Sequence, residues 1–318
     1  MATKVIYITG CLGFIGSHLT QACLDLGWHV RGVDKCTYAS RLDKLAEFKL
    51  HENFIFDGID INDIEFLYDC DYVINAAAET HVGNSIINSD SFIKSNICGV
   101  HKLLELLRDY RQENKRRPTL LHFSTDEVYG DIETGEHHES DILKPSNPYS
   151  ATKAAADMLI LAWARTYGIN YIIARPTNNY GTGQYVEKLI PKTIKYLTLG
   201  RKIPIHNGGS PVRNWLHVRD TSSAIIKMIE IDRQNEIYNI CGGFEQSNLE
   251  TVSNIIKIFH GPHAVITEYL DLSYNRIGQD VRYALNDDKI RSIGWKPEID
   301  FNEALVEIIT GHKKRFVW

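Results

Sequence analysis

The first apolar run of the chain leads directly into Thr9-Gly10-Cys11-Leu12-Gly13-Phe14-Ile15-Gly16. The run itself, Val5–Ile8, is typical of a buried strand, and residues 14–27 have the periodicity of an amphipathic helix that ends at a glycine. Glycines between a strand and a helix let phosphates approach the backbone, and the helix N-terminus offers free N–H groups. The GxxGxxG spacing therefore predicts a diphosphate-binding turn, although a tight turn without a ligand would use the same glycines.

Strand-like and helical runs alternate through the first half of the chain. Further strands are predicted at residues 30–33, 54–56, 72–75, 119–123 and 171–174, with helices at 62–68, 92–113 and 150–167. Beyond residue 176, helical runs at 187–199, 220–231, 248–259 and 301–311 alternate with short extended pieces. This order predicts an α/β fold: a doubly wound parallel sheet in residues 1–176 and a smaller α/β lobe in residues 177–318. The boundary is soft, because some later strands should return to the first sheet.

Composition excludes several classes of protein. The 318 residues are 43% hydrophobic and 24% charged, with a formal net charge of −5. These values are ordinary for a globular chain, and the negative charge argues against a nucleic-acid partner. No apolar run approaches the ~18–20 residues of a membrane span, and the N-terminus lacks a secretory signal. Six scattered cysteines and thirteen histidines form no metal-binding spacing, so we expect reduced thiols, no metal and a cytoplasmic location.

An acidic residue ends the second predicted strand. Asp34 lies 18 positions after Gly16, where a carboxylate can accept both adenosine-ribose hydroxyls and repel a 2′-phosphate. This predicts NAD rather than NADP as the cofactor, a preference that the adjacent Lys35 tempers. Asp60 and Ile61 follow the third strand, where they could contact adenine, and a turn aspartate is an equally good interpretation.

A tyrosine and a lysine are spaced for one face of a helix. Tyr149 and Lys153 are four residues apart, so the lysine ammonium is expected to favour the phenolate and lower the tyrosine pKa. Ser124 and Thr125 end the preceding strand. The glycine turn, Asp34, these hydroxyls and Tyr-x-x-x-Lys, in this order, resemble the extended short-chain dehydrogenase/reductase family over almost the whole chain.

Two adjacent carboxyl groups narrow the resemblance. Asp126 and Glu127 follow Thr125, and Glu127 precedes Tyr149 by 22 residues. Thr-Asp-Glu at this place is similar to the nucleotide-sugar 4,6-dehydratases, whereas epimerases lack the acid pair. Similar fragments are Ala76-Ala-Ala-Glu-Thr-His81-Val82, Arg175-Pro-Thr-Asn178-Asn179-Tyr-Gly181, Glu187-Lys-Leu-Ile-Pro191, Val212-Arg213-Asn-Trp-Leu216 and Asn275-Arg276-Ile-Gly-Gln-Asp280-Val-Arg-Tyr283.

The resemblance implies a Rossmann-type fold, bound NAD and a redox-neutral dehydration of a nucleotide-activated hexose that feeds deoxysugar synthesis. In this chemistry the C4 hydroxyl is oxidised, which makes the C5 hydrogen acidic, and the C4 hydride returns to C6 after water is lost. Tyr149 would take the hydroxyl proton, with Lys153 and Thr125 supporting it, while Glu127 removes the C5 proton and Asp126 protonates the departing hydroxyl. The two acids need opposite protonation states, and their mutual repulsion can separate them.

The resemblance also implies the residues that bind the ligands. Those assigned to NAD are Gly10, Gly13, Phe14, Ile15, Gly16, Asp34, Lys35, Thr37, Asp60, Ile61, Ala76, Ala77, Ala78, Thr80, Ser124, Tyr149, Lys153 and Asn179. Those assigned to the nucleotide sugar are Thr80, Thr125, Asn178, Glu187, Lys188, Leu189, Pro204, His206, Arg213, Asn248, Arg276 and Tyr283. A homodimer built on helices 92–113 and 150–167 is implied as well.

Several alternatives stay open. Ile277 replaces an expected proline and Gln279 stands where His or Asn is frequent, so the base can be uracil or thymine. The short loop between Gly130 and Tyr149 favours UDP. The sugar can be glucose or N-acetylglucosamine, the latter with inversion at C5. An NDP-sugar 4-epimerase and a silent sugar-nucleotide-binding or NAD-sensing regulator are the rival functions.

Overall fold

A computed structural model describes residues 3–110, 116–275 and 280–314. Its centre is a seven-stranded sheet in which every pairing is parallel, in the order β10-β6-β5-β4-β1-β2-β3. The strands are β1 (Val5–Thr9), β2 (His29–Val33), β3 (Phe54–Asp57), β4 (Tyr72–Asn75), β5 (Thr119–Phe123), β6 (Tyr171–Pro176) and β10 (Glu236–Ile240). All six strands predicted for the first half are confirmed, and β10 confirms that the later half returns a strand to this sheet.

Helices cover both faces of the sheet, because its strands carry apolar side chains on both sides. Ile6 and Ile8 of β1 pack with α1 (Phe14–Asp25) and α8 (Val218–Ile231), whereas Tyr7 packs on the opposite face. The opposite face is covered by α5 (Gly99–Asp109) and α6 (Pro148–Tyr167). The alternation along β1 is the period of two that a strand imposes on its side chains. The fold is therefore the predicted doubly wound Rossmann arrangement.

The remaining helices of the first half differ in part from the sequence prediction. The structure adds α2 (Leu42–Phe48) and α3 (Val82–Ile87), which were not predicted. The helix predicted over 92–113 begins as α4 (Asp90–Phe92), continues as a π-helix (Ile93–Cys98) and ends with α5 at Asp109, and residues 111–115 lie outside the described part.

The helix predicted over residues 62–68 is wrong. A single 3-10 turn (Ile61–Asp63) forms there, and Ile64 already has extended backbone with φ −66° and ψ 117°. Ile61, Ile64 and Leu67 are buried. A spacing of three is typical of a helix, but here the three side chains belong to a loop and pack in the core beneath α5 and α6.

The C-terminal half has a smaller core of its own. Two small sheets, β11-β9-β7 and β12-β8, pack with three helices around Tyr180, Trp215 and Phe301. The strands are β7 (Asn178–Tyr180), β8 (Ile203–Pro204), β9 (Val212–His217), β11 (Glu245–Ser247) and β12 (Leu270–Asp271). The helices are α7 (Leu189–Thr198), α9 (Asn248–His260) and α11 (Phe301–Lys314), while α10 (Asp288–Ser292) contacts β10 of the main sheet. Within the described residues, no helix is both long and apolar enough to cross a membrane.

Candidate active site

A deep cleft opens at the carboxyl ends of the parallel strands, between the main sheet and the C-terminal lobe. The sheet order reverses direction between β1 and β4, and such switch points form ligand crevices in open α/β sheets. The cleft holds about 1560 Å³ of empty space, part of it open to solvent. Of the residues predicted from sequence, it is lined by Gly10, Gly13, Phe14, Ile15, Gly16, Asp34, Lys35, Thr37, Ile61, Ala76, Ala77, Ala78, Thr80, Ser124, Thr125, Asp126, Glu127, Tyr149, Asn178, Asn179, Glu187 and Lys188.

The glycine turn forms one end of the cleft, and two of its positions accept no side chain. Gly10 has φ +70°, and a Cβ there would lie 2.6 Å from the backbone nitrogen of Ala77. A Cβ on Gly16 would lie 2.0 Å from the carbonyl oxygen of Gly10. Gly13 precedes α1 with no side-chain cap, so the first N–H groups of that helix remain available to a diphosphate.

Asp34 supports this turn as well as facing the cleft. Its carboxylate accepts hydrogen bonds from the backbone N–H of Leu12 at 3.0 Å, from the N–H of Cys36 at 2.8 Å and from the Ser40 hydroxyl at 2.9 Å. The contact to Leu12 joins the end of β2 to the glycine turn, a role that sequence reasoning missed. Two carboxylate oxygens offer about four acceptor sites, so capacity for a ligand hydroxyl remains.

The charge of Lys35 is directed to neighbouring acids. Its ammonium lies 3.6 Å from Asp60 and 3.7 Å from Glu79, and it donates to the Ser95 hydroxyl at 3.3 Å. Asp60 does not itself line the cleft and caps the 3-10 turn through the backbone N–H of Asn62. Two carboxylates therefore already face this ammonium.

The acid pair lies on a 3-10 turn (Asp126–Tyr129) directly after β5. The Thr125 hydroxyl donates to Asp126 Oδ1 at 2.9 Å, whereas Asp126 Oδ2 is buried with no hydrogen-bond partner among the described residues. Glu127 Oε2 instead accepts a hydrogen bond of 3.2 Å from the side-chain amide of Asn147. The two neighbouring carboxyl groups therefore have different surroundings.

These surroundings act on the pKa values of both carboxyl groups. Burial, reinforced by the charge of Glu127, raises the pKa of Asp126 to about 7. Burial also raises the pKa of Glu127, but the Asn147 amide and the charge of Arg213 oppose that shift. With a pKa near neutrality, Asp126 can carry the proton that a general acid needs, while the Asn147 amide favours the charged form of Glu127 that a general base needs.

Tyr149 and Lys153 do not interact as the sequence suggested. The Lys153 ammonium donates to the Phe123 carbonyl and lies 3.3 Å from His122 Nε2, so its hydrogen bonds go to β5. Burial lowers the pKa of Lys153 to about 8, and Asp157 opposes this shift. Burial and the charges of Glu127 and Asp126 raise the pKa of Tyr149, while a hydrogen bond with Thr125 opposes them. The sequence predicted a lowered pKa for Tyr149, and the structure contradicts that direction. Support of the phenolate by the charge of Lys153 stays a prediction.

Residues between 177 and 188 form another part of the cleft wall. The Lys188 ammonium donates to the carbonyl of Thr80 at 2.9 Å and lies 3.6 Å from Glu187. Asn178 Oδ1 is buried and has no hydrogen-bond partner within the described residues, so it can meet a ligand donor. Asn179 uses its side chain internally, donating to the Thr177 carbonyl at 3.0 Å and accepting from Thr221 at 2.5 Å.

Other residues predicted for the substrate lie away from the cleft lining. The Arg213 guanidinium donates to the carbonyls of Val212 at 2.6 Å and Asp280 at 3.2 Å and stacks 4.7 Å from the centre of the Tyr283 ring. Lys153, which was predicted for the cofactor and not for the substrate, is buried and does not line the cleft either. Leu189, Pro204, His206, Asn248 and Tyr283 also do not line the cleft, and Arg276 lies outside the described residues.

Sequence reasoning missed further residues of the site. Asn147 caps α6 and forms a capping box with Ser150, which the sequence could have predicted. Its contact with Glu127 could not be predicted from the sequence. The other unpredicted lining residues are Thr9, Val33, Tyr38, Ala39, Ser40, Ile59, Glu79, Ser95, Pro176, Thr177, Gln184 and Tyr185. Half of them adjoin a predicted residue in sequence, which was the available signal.

Comparisons with known proteins agree with this geometry. The sequence model of the GDP-mannose 4,6 dehydratase family matches residues 7–308. The low-salt glycan biosynthesis protein Agl12 of Haloferax volcanii is 38% identical over 94% of this chain and 96% of its own. The dTDP-glucose 4,6-dehydratase of Haemophilus influenzae is 38% identical over 96% of both chains. The crystal structure of DesIV, a dTDP-glucose 4,6-dehydratase of Streptomyces venezuelae with NAD bound, superposes with a TM-score of 0.91 at 33% identity, covering 98% and 97% of the two chains.

Proposed function

The chain belongs to the GDP-mannose 4,6-dehydratase family of nucleotide-sugar enzymes, and from this we propose that it converts a nucleotide-activated glucose to the 4-keto-6-deoxy sugar. It is an extended short-chain dehydrogenase/reductase and an NAD-dependent hydro-lyase. The observation that carries the proposal is the pair of buried Asp126 and half-buried Glu127, which line the same cleft as Tyr149 and have different hydrogen-bond partners. Elimination of water needs an acid and a base in addition to Tyr149, whereas an epimerase needs only the group that takes and returns the C4 hydroxyl proton.

The cleft fits NAD through features of this chain. Gly10 and Gly16 bring the backbone of the turn close together, and the uncapped start of α1 suits a diphosphate. We propose that Asp34 accepts the adenosine-ribose hydroxyls and that Ile61 and the backbone of residues 76–78 line the remainder. NAD held there would supply the acceptor for the C4 hydride and its donor to C6. The positive charge of its nicotinamide ring would oppose the acids that raise the pKa of Tyr149.

The side chains divide the proton transfers between them. Tyr149 takes the proton of the C4 hydroxyl, and the Thr125 hydroxyl holds the oxygen that becomes the ketone. Glu127 removes the C5 proton, which the adjacent ketone has made acidic, and a proton returns to C5 when the hydride adds to C6. Asp126 gives its proton to the departing C6 hydroxyl, so that water leaves. Lys153 supports the phenolate by its charge and fixes α6 to the end of β5 through the Phe123 carbonyl.

The sugar and the diphosphate of the substrate are assigned mainly to the part of the cleft that residues between 177 and 188 form. We propose that Asn178, Glu187 and Thr80 bind the hexose, and that Lys188 binds the diphosphate. Arg213 binds a phosphate after exchanging its contacts to the Val212 and Asp280 carbonyls. The nucleotide is assigned to the lobe of residues 177–318 that lies beside the cleft. Leu189, Pro204, His206, Asn248, Arg276 and Tyr283 remain predictions for this part.

Transfer of a label tests the proposal directly. Substrate carrying deuterium on C4 is incubated with the purified protein, and the product is examined by mass spectrometry and NMR. We expect a product lighter by one water with the deuterium on C6 of the same molecule. Loss of the label to solvent, or its retention on C4, would contradict the dehydratase mechanism. A product of unchanged mass would indicate an epimerase instead.

Parallel incubations identify the substrate. UDP-glucose, dTDP-glucose and UDP-N-acetylglucosamine are offered separately at equal concentration, and kcat/KM is compared. The relative from Haemophilus influenzae carries dTDP-glucose in its name, and the short loop before Tyr149 favours UDP. Preference for the acetamido sugar would favour the alternative dehydratase, and the configuration of the product at C5 would then report inversion.

We further propose that the protein is a homodimer in the cytoplasm. The π-helix and α6 pack together and expose the apolar side chains of Ile93 and Met158 to solvent. Such side chains on paired helices suit a two-fold four-helix contact. The six cysteines are free thiols, in keeping with a reducing compartment. Light scattering at micromolar concentration should report twice the chain mass, and a monomer mass would contradict the dimer.

A further inference from the structure

A buried arginine joins the two elements that carry the catalytic groups. Arg175 lies in β6, and only 1% of it is exposed. Its Nε and Nη2 donate to Asp157 Oδ2 at 3.0 and 2.9 Å, and its Nη1 donates to the Tyr129 hydroxyl at 2.6 Å. Asp157 belongs to α6, the helix of Tyr149. Tyr129 belongs to the 3-10 turn that carries the acid pair.

Asp157 links the arginine to the lysine of the site. It is completely buried and accepts a hydrogen bond from the Ser124 hydroxyl at 3.0 Å. The charged and titratable groups packed around Lys153 are His122 of β5, Asp157 of α6 and Arg175 of β6. Asp157 is the one carboxylate of this set, and its charge favours the cationic form of the buried Lys153.

Tyr129 links the arginine to the edge of the sheet. Its hydroxyl donates to Asn239 Oδ1 of β10 at 2.8 Å while it accepts from Arg175. Its ring stacks on His137 with centroids 5.0 Å apart and planes 12° apart. Tyr129, the last residue of the turn, therefore contacts Arg175, Asn239 and His137. The same turn places Asp126 and Glu127 in the cleft lining.

We propose that Arg175, Asp157 and Tyr129 form a positioning network that fixes the acid pair relative to Tyr149 and Lys153. The inference rests on the proposed function and extends it to residues that touch neither substrate nor cofactor. A buried ion pair contributes little net stability compared with well-packed apolar side chains, and its best attested use is to specify one arrangement. A displacement of about 1 Å can slow a reaction on the order of 100-fold, so such an arrangement matters here.

The two arms of the network act on different steps. Asp157→Asn keeps the shape but removes the charge beside Lys153, so we expect slower oxidation at C4. Its kcat should fall about 10- to 100-fold with KM changed less than about threefold. The alkaline limb of the pH profile should move lower when it is recorded for C4 oxidation, a step that does not use the proton of Asp126. Tyr129→Phe keeps the stacked ring and removes the hydroxyl. It should slow elimination, so that the 4-ketohexose nucleotide accumulates in quenched samples.

Asp287→Asn is the matched control. Asp287 forms a bidentate pair with Arg291 at 2.6 and 3.0 Å, away from the cleft, and its loss removes the same charge. Thermal unfolding and circular dichroism are recorded for all three variants. The network is supported if Asp157→Asn and Tyr129→Phe show their separate kinetic effects while folded, and Asp287→Asn turns over at the unaltered rate.

Two results would overturn the proposal. One is folded Tyr129→Phe protein that turns over normally without accumulating the ketohexose, a readout that stands even if Asp157→Asn fails to fold. The other is a pH profile of folded Asp157→Asn identical to that of the unaltered protein. C4-to-C6 label transfer by the unaltered protein tests the proposed function separately, so failure of the network would leave that result intact.

Discussion

The side-chain amide of Asn147 donates a hydrogen bond of 3.2 Å to Oε2 of Glu127, although 20 residues separate them. The same side chain accepts from the backbone N–H of Ser150 at 3.0 Å and so caps α6. Asn147 thus caps the helix that contains Tyr149 and also orients the carboxylate of Glu127, the proposed base. Because the amide donates to the charged form of Glu127, it also opposes the rise of the Glu127 pKa that burial causes.

Asn147→Ser separates these two roles. Serine caps a helix about as well as asparagine, so the free energy of unfolding should change by less than about 0.5 kcal/mol. Loss of the amide donor raises the pKa of Glu127, and the base form is then populated only at higher pH. We expect kcat at neutral pH to fall roughly tenfold, since a hydrogen bond to a charged group contributes about 1.5–3 kcal/mol. The acidic limb of the pH profile should move upward, and an unmoved limb would exclude the contact from catalysis.

Glu127→Gln should stop the reaction after oxidation. The amide cannot accept the C5 proton, so the 4-ketohexose nucleotide should build up while dehydrated product falls by at least about 100-fold. Quenched samples are analysed by mass spectrometry, where the intermediate is lighter than substrate by two hydrogens. Glu133→Gln, a substitution of an exposed acid in the following loop, is the control and should turn over normally. Normal product formation by Glu127→Gln would remove this residue from the mechanism.

The parts of the site that sequence could predict are those fixed by strand ends. The glycine turn follows β1, Asp34 follows β2 and Thr125 follows β5, and a parallel sheet brings such ends to one edge. The acid pair was predictable for the same reason, because it directly follows Thr125.

Contacts set by tertiary packing could not be predicted. Helical spacing puts Lys153 on the face of Tyr149, but the carbonyl of Phe123 on the neighbouring strand decides where its ammonium donates. The hydrogen bond from Asn147 to Glu127 depends on the path of an intervening loop. In the fold, the false helix at 62–68 arose because a buried loop can repeat apolar residues at helical intervals.

Asp126 should make both activity and stability depend on pH. Its pKa is raised to about 7 in the folded protein, against about 4 in an unfolded chain. The folded state therefore binds more protons between pH 4 and 7, and its stability falls as pH rises through that window. Asp126→Asn has no such pH-dependent loss. From pH 5 to pH 8, the free energy of unfolding of the variant should therefore rise by about 1–3 kcal/mol relative to that of the unaltered protein. Denaturant unfolding at both pH values measures the difference, and equal differences at the two values would contradict the raised pKa.

Asp34→Ala should weaken retention of NAD. The substitution removes the acceptor for the ribose hydroxyls and also the carboxylate that holds Leu12 of the glycine turn. We expect the dissociation constant for NAD to rise at least about tenfold, as loss of hydrogen bonds to a charged group predicts. Cofactor released from the purified protein by denaturation is quantified against protein. Asp25→Ala, at the exposed end of α1, is the control, and equal cofactor content in both variants would contradict the assignment.

Gly10→Ala and Gly27→Ala form a matched pair that tests the close packing of the glycine turn. Both positions have nearly the same backbone, φ +70° and +72°, so each alanine carries a similar strain of about 1–2 kcal/mol. At Gly27 a Cβ meets no atom within 4 Å, whereas at Gly10 it would lie 2.6 Å from the Ala77 nitrogen and 2.7 Å from the Ala76 carbonyl oxygen. Relieving that overlap must move the end of β4 away from β1, which adds about 1–3 kcal/mol. Gly10→Ala should therefore unfold at distinctly lower denaturant concentration than Gly27→Ala and also lose NAD. Equal midpoints for the two variants would show that the turn has room for a side chain and that its glycine serves the backbone angle alone.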